Sequence, residues 1–228
     1  RAIALTEQLA RSTFLDMFGD PVTNPKGWEV KKLEEVALTE KSAIKCGPFG
    51  NQLLISELKH EGVPVYGIDN VQKNRFVWAK PKHITDAKYK ELKSFSIKEG
   101  DVLISRTGTV GRTCIAPPNI PRSIIGPNLL KVSLDQTKMN PNYLSYALSY
   151  SPYLIEQIKI MSPGATVPVF NTKNLRSLKL AIPPIALQTK FVTFIDKLET
   201  EKTHLSQSFS ESDNLFNSLL QRAFKGEL

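Results

Sequence analysis

Residues 187–224 read LQTKFVTFIDKLETEKTHLSQSFSESDNLFNSLLQRAF, and in them Leu187, Phe191, Phe194, Leu198, Leu205, Phe209, Phe216, Leu219 and Ala223 recur at spacings of three, four or seven. That period is one apolar face of an α-helix, here a coiled-coil seam. At 1.5 Å per residue the helix would run on the order of 57 Å, longer than a small domain needs for its own core. The seam weakens where Glu201, Lys202 and Ser212 fall at or beside apolar positions. Pro183 and Pro184 give a stiff start, because proline is tolerated only at or before the first helical turn. Gly226 stands where a left-handed C-terminal cap is expected.

The first twenty residues repeat the end of this helix. An offset of 206 places Ile3 on Phe209, Leu9 on Leu215, Ser12 on Ser218, Phe14 on Leu220, Met17 on Ala223 and Phe18 on Phe224, with Gly19 close to Gly226. The coincidence predicts a repeating unit of about two hundred residues, each a globular domain followed by a helix. A chain that starts with Arg1 is then expected to start inside the helix that closes a preceding copy. Three segments follow from this: the end of a helix over 1–20, a globular domain over 21–184, and a long coiled-coil helix over 185–228.

Charge divides the same way. The chain carries a formal +8, and residues 21–184 hold 23 basic and 13 acidic side chains, or +10, while each flank is −1. A basic field concentrated on one body attracts polyanions; near-neutral ends suit contacts with protein. No run of apolar residues is long enough for a membrane span and no secretory pattern opens the chain, so a cytoplasmic location is expected. Cys46 and Cys114 lack metal-ligand spacing and read as two free thiols; His60, His83 and His204 are scattered.

Within the domain, Trp28–Ala37 follows a turn-rich stretch. Strand-like runs occur at Val63–Ile68, Val102–Ser105, Thr113–Ala116, Leu129–Leu134 and Leu178–Ile182, and helical stretches at Ala87–Phe95 and Tyr143–Ile160. With few tight hairpins, the expectation is an irregular mixed α/β domain rather than a doubly wound sheet. Three loops punctuate it: Lys45–Leu53 (KCGPFGNQL), Gly100–Arg112 (GDVLISRTGTVGR) and Ser162–Asn171 (SPGATVPVFN). Glycine lets a backbone approach a phosphate chain closely, and Asn, Gln, Thr and Arg bond phosphates and base edges. Arg106, Thr107, Thr109 and Arg112 form the foremost candidate set. Lys45, Asn51, Gln52, Asn70, Lys73, Asn74, Thr166, Asn171 and Lys173 are secondary. Arginine can read guanine bidentately, whereas lysine mostly anchors phosphate; the structural alternative for Arg106 is a salt bridge.

Taken together these segments resemble the specificity subunits of type I restriction-modification systems. The second loop is similar to that family's Gly-Asp-Val-Leu-Ile-Ser-Arg-x-Gly-x-x-Gly stretch, and the first to its Gly-Pro-Phe-Gly-Ser-x-Leu stretch, with Asn51 in place of Ser. Gly62–Val71 resembles Gly-Val-Pro-x-Ile-x-x-x-Asn-Ile, Ile182–Gln188 the Pro-Pro-x-x-x-Gln that opens a spacer helix, and Phe14–Pro21 the join between spacer and next domain. The resemblance implies a target-recognition domain that reads half of a split site on double-stranded DNA. It further implies spacer helices that dock the methyltransferase subunit and, through the complex, meet the restriction subunit. One domain implies either one half of a full subunit or a half-length subunit that pairs with a second copy by antiparallel helices. No catalysis and no cofactor are implied for the chain, since S-adenosylmethionine and ATP belong to the partners. Phe191, Phe194, Leu198, Leu205, Phe209 and Phe216 are the expected interface residues, and the short N-terminal helix is expected to leave part of their stripe exposed in a monomer.

Other classes fit less well. A scaffold whose domain binds protein would not need the basic excess. Asn140-Pro141-Asn142-Tyr143 departs from the Asn-Pro-Pro-Tyr loop of amino-methyltransferases at its third position, lacks a glycine-rich cofactor loop, and is explained by an Asn cap with Pro at the first helical position. A nuclease using Asp20 with Glu29-Val30-Lys31 rests on an acid-x-Lys pattern that recurs at Glu57, Asp86 and Glu91.

Overall fold

In the computed structural model, residues 2–19, 23–162 and 169–225 are described. In chain order the elements are α1 (Ala2–Phe18), β1 (Glu29–Lys32), α2 (Leu33–Val36), β2 (Ile44–Cys46), β3 (Val63–Tyr66), β4 (Val71–Gln72), β5 (Arg75–Phe76), β6 (Lys82–Ile84) and α3 (Asp86–Glu91). They continue with β7 (Val102–Ser105), β8 (Thr113–Ile115), β9 (Ile124–Ile125), β10 (Leu129–Val132), α4 (Pro141–Tyr150), α5 (Pro152–Met161), α6 (Thr172–Ser177), β11 (Lys179–Ile182) and α7 (Ile185–Phe224). The mixed α/β class with a long terminal helix is as expected.

The centre is an antiparallel sheet ordered β2-β10-β7-β8. Every residue of β7 and β10 is buried, as continuous apolar runs require when both faces of a sheet are covered. Because side chains alternate, Val102, Ile104, Leu130 and Val132 face one core, made with α1, α4 and α7, while Leu103 and Leu129 face another, made with a second sheet ordered β6-β3-β9. Lys131 shares the second face and is buried among apolar neighbours. It survives there because its Nζ lies 3.0 Å from Asp101 Oδ2 and 3.4 Å from Ser133 Oγ, which also donates to Asp101. A buried charge is tolerated when paired and hydrogen-bonded in this way. The Asp of the Gly-Asp-Val-Leu-Ile stretch is therefore a structural residue.

Domain and helices are joined at two places. Strands β1 and β11 pair antiparallel, Glu29 opposite Ile182, so the chain enters and leaves the domain side by side. At the start of α7, buried Gln188 accepts from Asn140 N (2.9 Å) and donates to Lys138 O (3.1 Å) and Pro183 O (2.8 Å). This is what the glutamine of Pro-Pro-x-x-x-Gln does here. Helix α1 ends at Gly19, which adopts a φ of 80°, and Trp28 Nε1 donates to Phe18 O (2.9 Å).

Several boundaries differ from the sequence expectations for identifiable reasons. Trp28–Ala37 divides into β1 and the short α2. Val63–Ile68 stops at Tyr66, where a 3₁₀ turn over Ile68–Asn70 begins. Ala87–Phe95 becomes α3 followed by a 3₁₀ turn at Lys93–Phe95. Tyr143–Ile160 is two helices, because Ser151 caps α5 by accepting from Leu154 N and Pro152 occupies its first position. Asn140 caps α4 with Pro141 at the first position, as anticipated. Gly226 lies outside the described residues.

Phe191, expected among the residues of an interface with a second helix from outside the chain, is corrected: it is covered within the chain. Phe191 is fully buried within the chain, its ring 5.5 Å from Phe14, 5.4 Å from Phe18 and 5.7 Å from Tyr146. Phe194 and Leu198 are partly buried against the same core. With Phe14 and Phe18 on Phe191 and Glu7 sharing a groove wall with Glu199 and Lys202, α1 lies antiparallel on the first turns of α7. Short as it is, α1 covers that end. From Thr203 to Lys225 every residue is exposed, Leu205, Phe209 and Phe216 among them.

Candidate nucleic-acid interface

The glycine-rich loops, far apart in sequence, meet at Arg106. Its backbone N–H donates to Asn128 O (3.0 Å), its carbonyl accepts from Phe170 N (2.9 Å), and its Nη1 reaches Cys46 Sγ (3.0 Å) and Pro127 O (3.4 Å). The first, second and third loops therefore share one anchor with a fourth, Gly126-Pro127-Asn128, which sequence reading did not single out. The salt bridge considered for Arg106 is replaced by these neutral contacts, and its Nε is buried without a partner in the described structure. Arg106 is thus half framework and half surface.

The glycines of this junction are dictated by contact. A Cβ on Gly47 would lie 1.9 Å from Gly126 O and 3.1 Å from Pro127 N, both main-chain atoms that cannot swing aside. Gly47 N donates to Leu129 O and Gly126 N to Tyr66 O. We expect Gly47→Ala to lower the unfolding free energy by about 1–3 kcal/mol, as overpacking does. Gly67→Ala, at a site with open space and an extended φ, should be neutral. Denaturant midpoints of the two variants check this.

Beyond the anchor, the second loop turns back on itself. Ser105 N donates to Arg112 O and Gly111 N to Ser105 O, with Gly108 and Gly111 at positive φ. Arg112 Nη2 donates to Thr109 Oγ1 (3.0 Å) and Nη1 to Gln72 Oε1 (3.3 Å). Thr107, Thr109 and Arg112 line a crevice of about 80 Å³ with Asp69 and Gln72. Gln72 and Arg112 also line a neighbouring hollow of about 360 Å³, which continues past Lys73 toward Tyr146, Tyr150 and the first turns of α7.

The secondary candidates separate into exposed and structural groups. Asn51 and Gln52 are exposed at the tip of the first loop, Gln52 Oε1 accepting from Phe49 N (3.3 Å). Lys45 stands over the Phe95 ring at 5.0 Å. Lys73 pairs with Glu7 (3.3 Å) and lies over Tyr150. Lys173 is exposed on α6, and Asn171 caps that helix by accepting from Asn174 N. Asn70 is corrected as a contact residue: it is buried, accepts from Gly67 N (2.9 Å) and donates to Val77 O (3.0 Å) and Ala79 O (2.9 Å). Asn74 is largely occupied too, at a φ of 55° in the β4–β5 turn, its Oδ1 accepting from Ser145 and Ser149. Thr166, with most of the third loop, lies outside the described residues.

Burial holds the Cys114 thiol up at about 12; burial also raises that of Cys46, against the opposing pull of the Arg106 charge. Both are neutral near pH 7, as free thiols of a framework would be. Glu29 and Lys31 of the nuclease reading pair with each other at 3.0 Å on the exposed β1, and Asp20 lies outside the described residues. Among the described residues no group of His, Cys, Asp and Glu is placed to hold a metal, and no helix is long and apolar enough to cross a membrane.

Residues 25–210 match the model of the type I restriction modification DNA specificity domain, and the chain belongs to that family. Curated relatives are named as type I restriction enzyme specificity subunits. A type I restriction enzyme specificity subunit of Haemophilus influenzae is 34% identical over 112 residues, covering 49% of this chain and 27% of that protein. The MjaX specificity subunit of Methanocaldococcus jannaschii is 20% identical over 211 residues, covering 89% and 44%. Among solved structures, one of a type I restriction-modification system superimposes with a TM-score of 0.67 at 23% identity, covering 98% of this chain and 52% of that one. The HsdS subunit of Thermoanaerobacter tengcongensis follows at 0.63 and 24%, covering 98% and 51%. The chain thus spans about half the length of these proteins or less.

Proposed function

We propose that this chain reads one half of a bipartite site on double-stranded DNA through the loop face around Arg106 and Arg112. Residues 21–184 act as the target-recognition domain, and the flanking helices act as spacers that dock a methyltransferase subunit and, through it, the restriction subunit. S-adenosylmethionine and ATP are then bound by those partners, and the complex works in the cytoplasm. The observation that carries this reading is the meeting of separate glycine-rich loops at one anchor, on the segment that holds the whole basic excess. Family membership supports it independently.

The test is the salt dependence of duplex binding by the assembled complex. With about four phosphates neutralised, affinity should fall about a hundredfold between about 50 and about 200 mM salt. Binding that is indifferent to salt would instead favour a domain that contacts protein.

A further inference from the structure

The crevice beside Arg112 contains a carboxylate that phosphate binding does not explain. Asp69 is exposed and lines it together with Thr107, Thr109 and Arg112, and it takes part in none of the ion pairs among the described residues. On a basic face that meets a polyanion, an exposed carboxylate repels the backbone. What it can accept from in DNA is an exocyclic amine, and the major-groove amine suited to an acidic side chain is the cytosine N4 group.

Its neighbour supplies the complementary chemistry. Arg112 has two of its five N–H donors engaged, by Gln72 Oε1 and Thr109 Oγ1, which fixes the plane of the guanidinium and leaves three for a ligand. Two parallel donors match O6 and N7 of guanine. The backbone under each group is held in advance. Asp69 sits in a 3₁₀ turn fastened by the buried Asn70 amide, and the Arg112 backbone is clasped by Ser105. Holding side chains before binding reduces the cost of ordering them on DNA.

We propose that Asp69 and Arg112 together read a single G·C base pair in the major groove, Arg112 taking the guanine edge and Asp69 the cytosine amine. The assignment rests on the proposed reading of a DNA half-site and adds to it the residue pair and the base pair.

The test is sequencing of methylated adenines in DNA modified by the complex of the full chain with its methyltransferase subunit. The wild-type motif should contain a G·C pair at a position where Asp69→Ala relaxes the requirement, raising modification of sites with another pair there about tenfold or more. Arg112→Lys, which keeps the charge but loses the planar fork, should relax the same position. Asp69 is exposed, so its variant leaves the fold intact. If the wild type yields a defined motif that both variants reproduce, or if Arg112→Lys only weakens modification at all sites equally, the pair assignment is overturned while the DNA reading stands. If the wild-type complex yields no motif at all, it is the DNA reading that fails.

Discussion

Replacing Phe191 with alanine should lower the stability of the isolated chain by about 3–5 kcal/mol, the cost of emptying a large buried aromatic site. Phe191 is 0% exposed and touches rings from α1 and α4, so its loss opens a void where α1, α4 and α7 meet. The void cannot collapse easily. Phe14 also packs on Tyr143 and Tyr150, and Phe18 on Tyr143 at 4.8 Å, which ties the neighbouring rings to α4. Phe209 provides the comparison: it lies on the same helix but is 76% exposed, and Phe209→Ala should alter the isolated chain by no more than about 0.5 kcal/mol. Denaturant titration of both variants measures the difference. Similar small effects would mean that α1 and α7 do not pack as described.

The opposite ranking is expected for assembly. Simultaneous replacement of Leu205, Phe209 and Phe216 by serine should abolish association, with a second copy or with the methyltransferase subunit, while leaving the domain folded. Beyond Lys202 the helix stands clear of its own domain and lacks the tertiary packing of an amphipathic face from which most helical stability comes. Its apolar stripe continues through Leu219 and Leu220 to Phe224, itself 89% exposed. Covering such a stripe is favourable at about 25 cal/mol per Å². The internal repeat shows what a covered version looks like: Phe14 and Phe18 are buried, and their counterparts Leu220 and Phe224 are not. Light scattering on the chain alone and with the methyltransferase subunit, together with helical circular dichroism, reads the outcome. A triple variant that assembles as the wild type does would show that this stripe is not the spacer contact.

How much of this was legible beforehand depended on whether the signal was local. Helix α7, α1 and the strands β7, β8, β10 and β11 were visible because apolar periodicity and continuous apolar runs are written along the chain. Strands β2 and β6 were not, since Ile44-Lys45-Cys46 and Lys82-His83-Ile84 are three residues each and carry lysine; their pairing partners make them strands. Asn70 looked like a DNA contact because an amide in a polar loop reads alike whether it faces a base or three main-chain groups. Periodicity likewise placed Phe191 on the seam without saying that α1 would cover it. The loops were recognised singly, but their meeting at Arg106, and the part played by Gly126–Asn128, are long-range facts of the fold. Nothing along the chain marks Asp69, since a lone acid in a basic segment resembles ordinary surface.

The junction at Arg106 also bears on how such a protein changes over generations. Most of its bonds run between main-chain atoms, which are indifferent to the side chains that follow. Asn51 and Thr107 can therefore be exchanged one at a time without dismantling the loops that present them, whereas Gln52 and Thr109 hold Phe49 N and the Arg112 guanidinium. Gly47 and Gly126, pressed together, have no such latitude. Loops fixed by a rigid glycine junction with free tips can accumulate single substitutions at those tips, each tolerated by the fold.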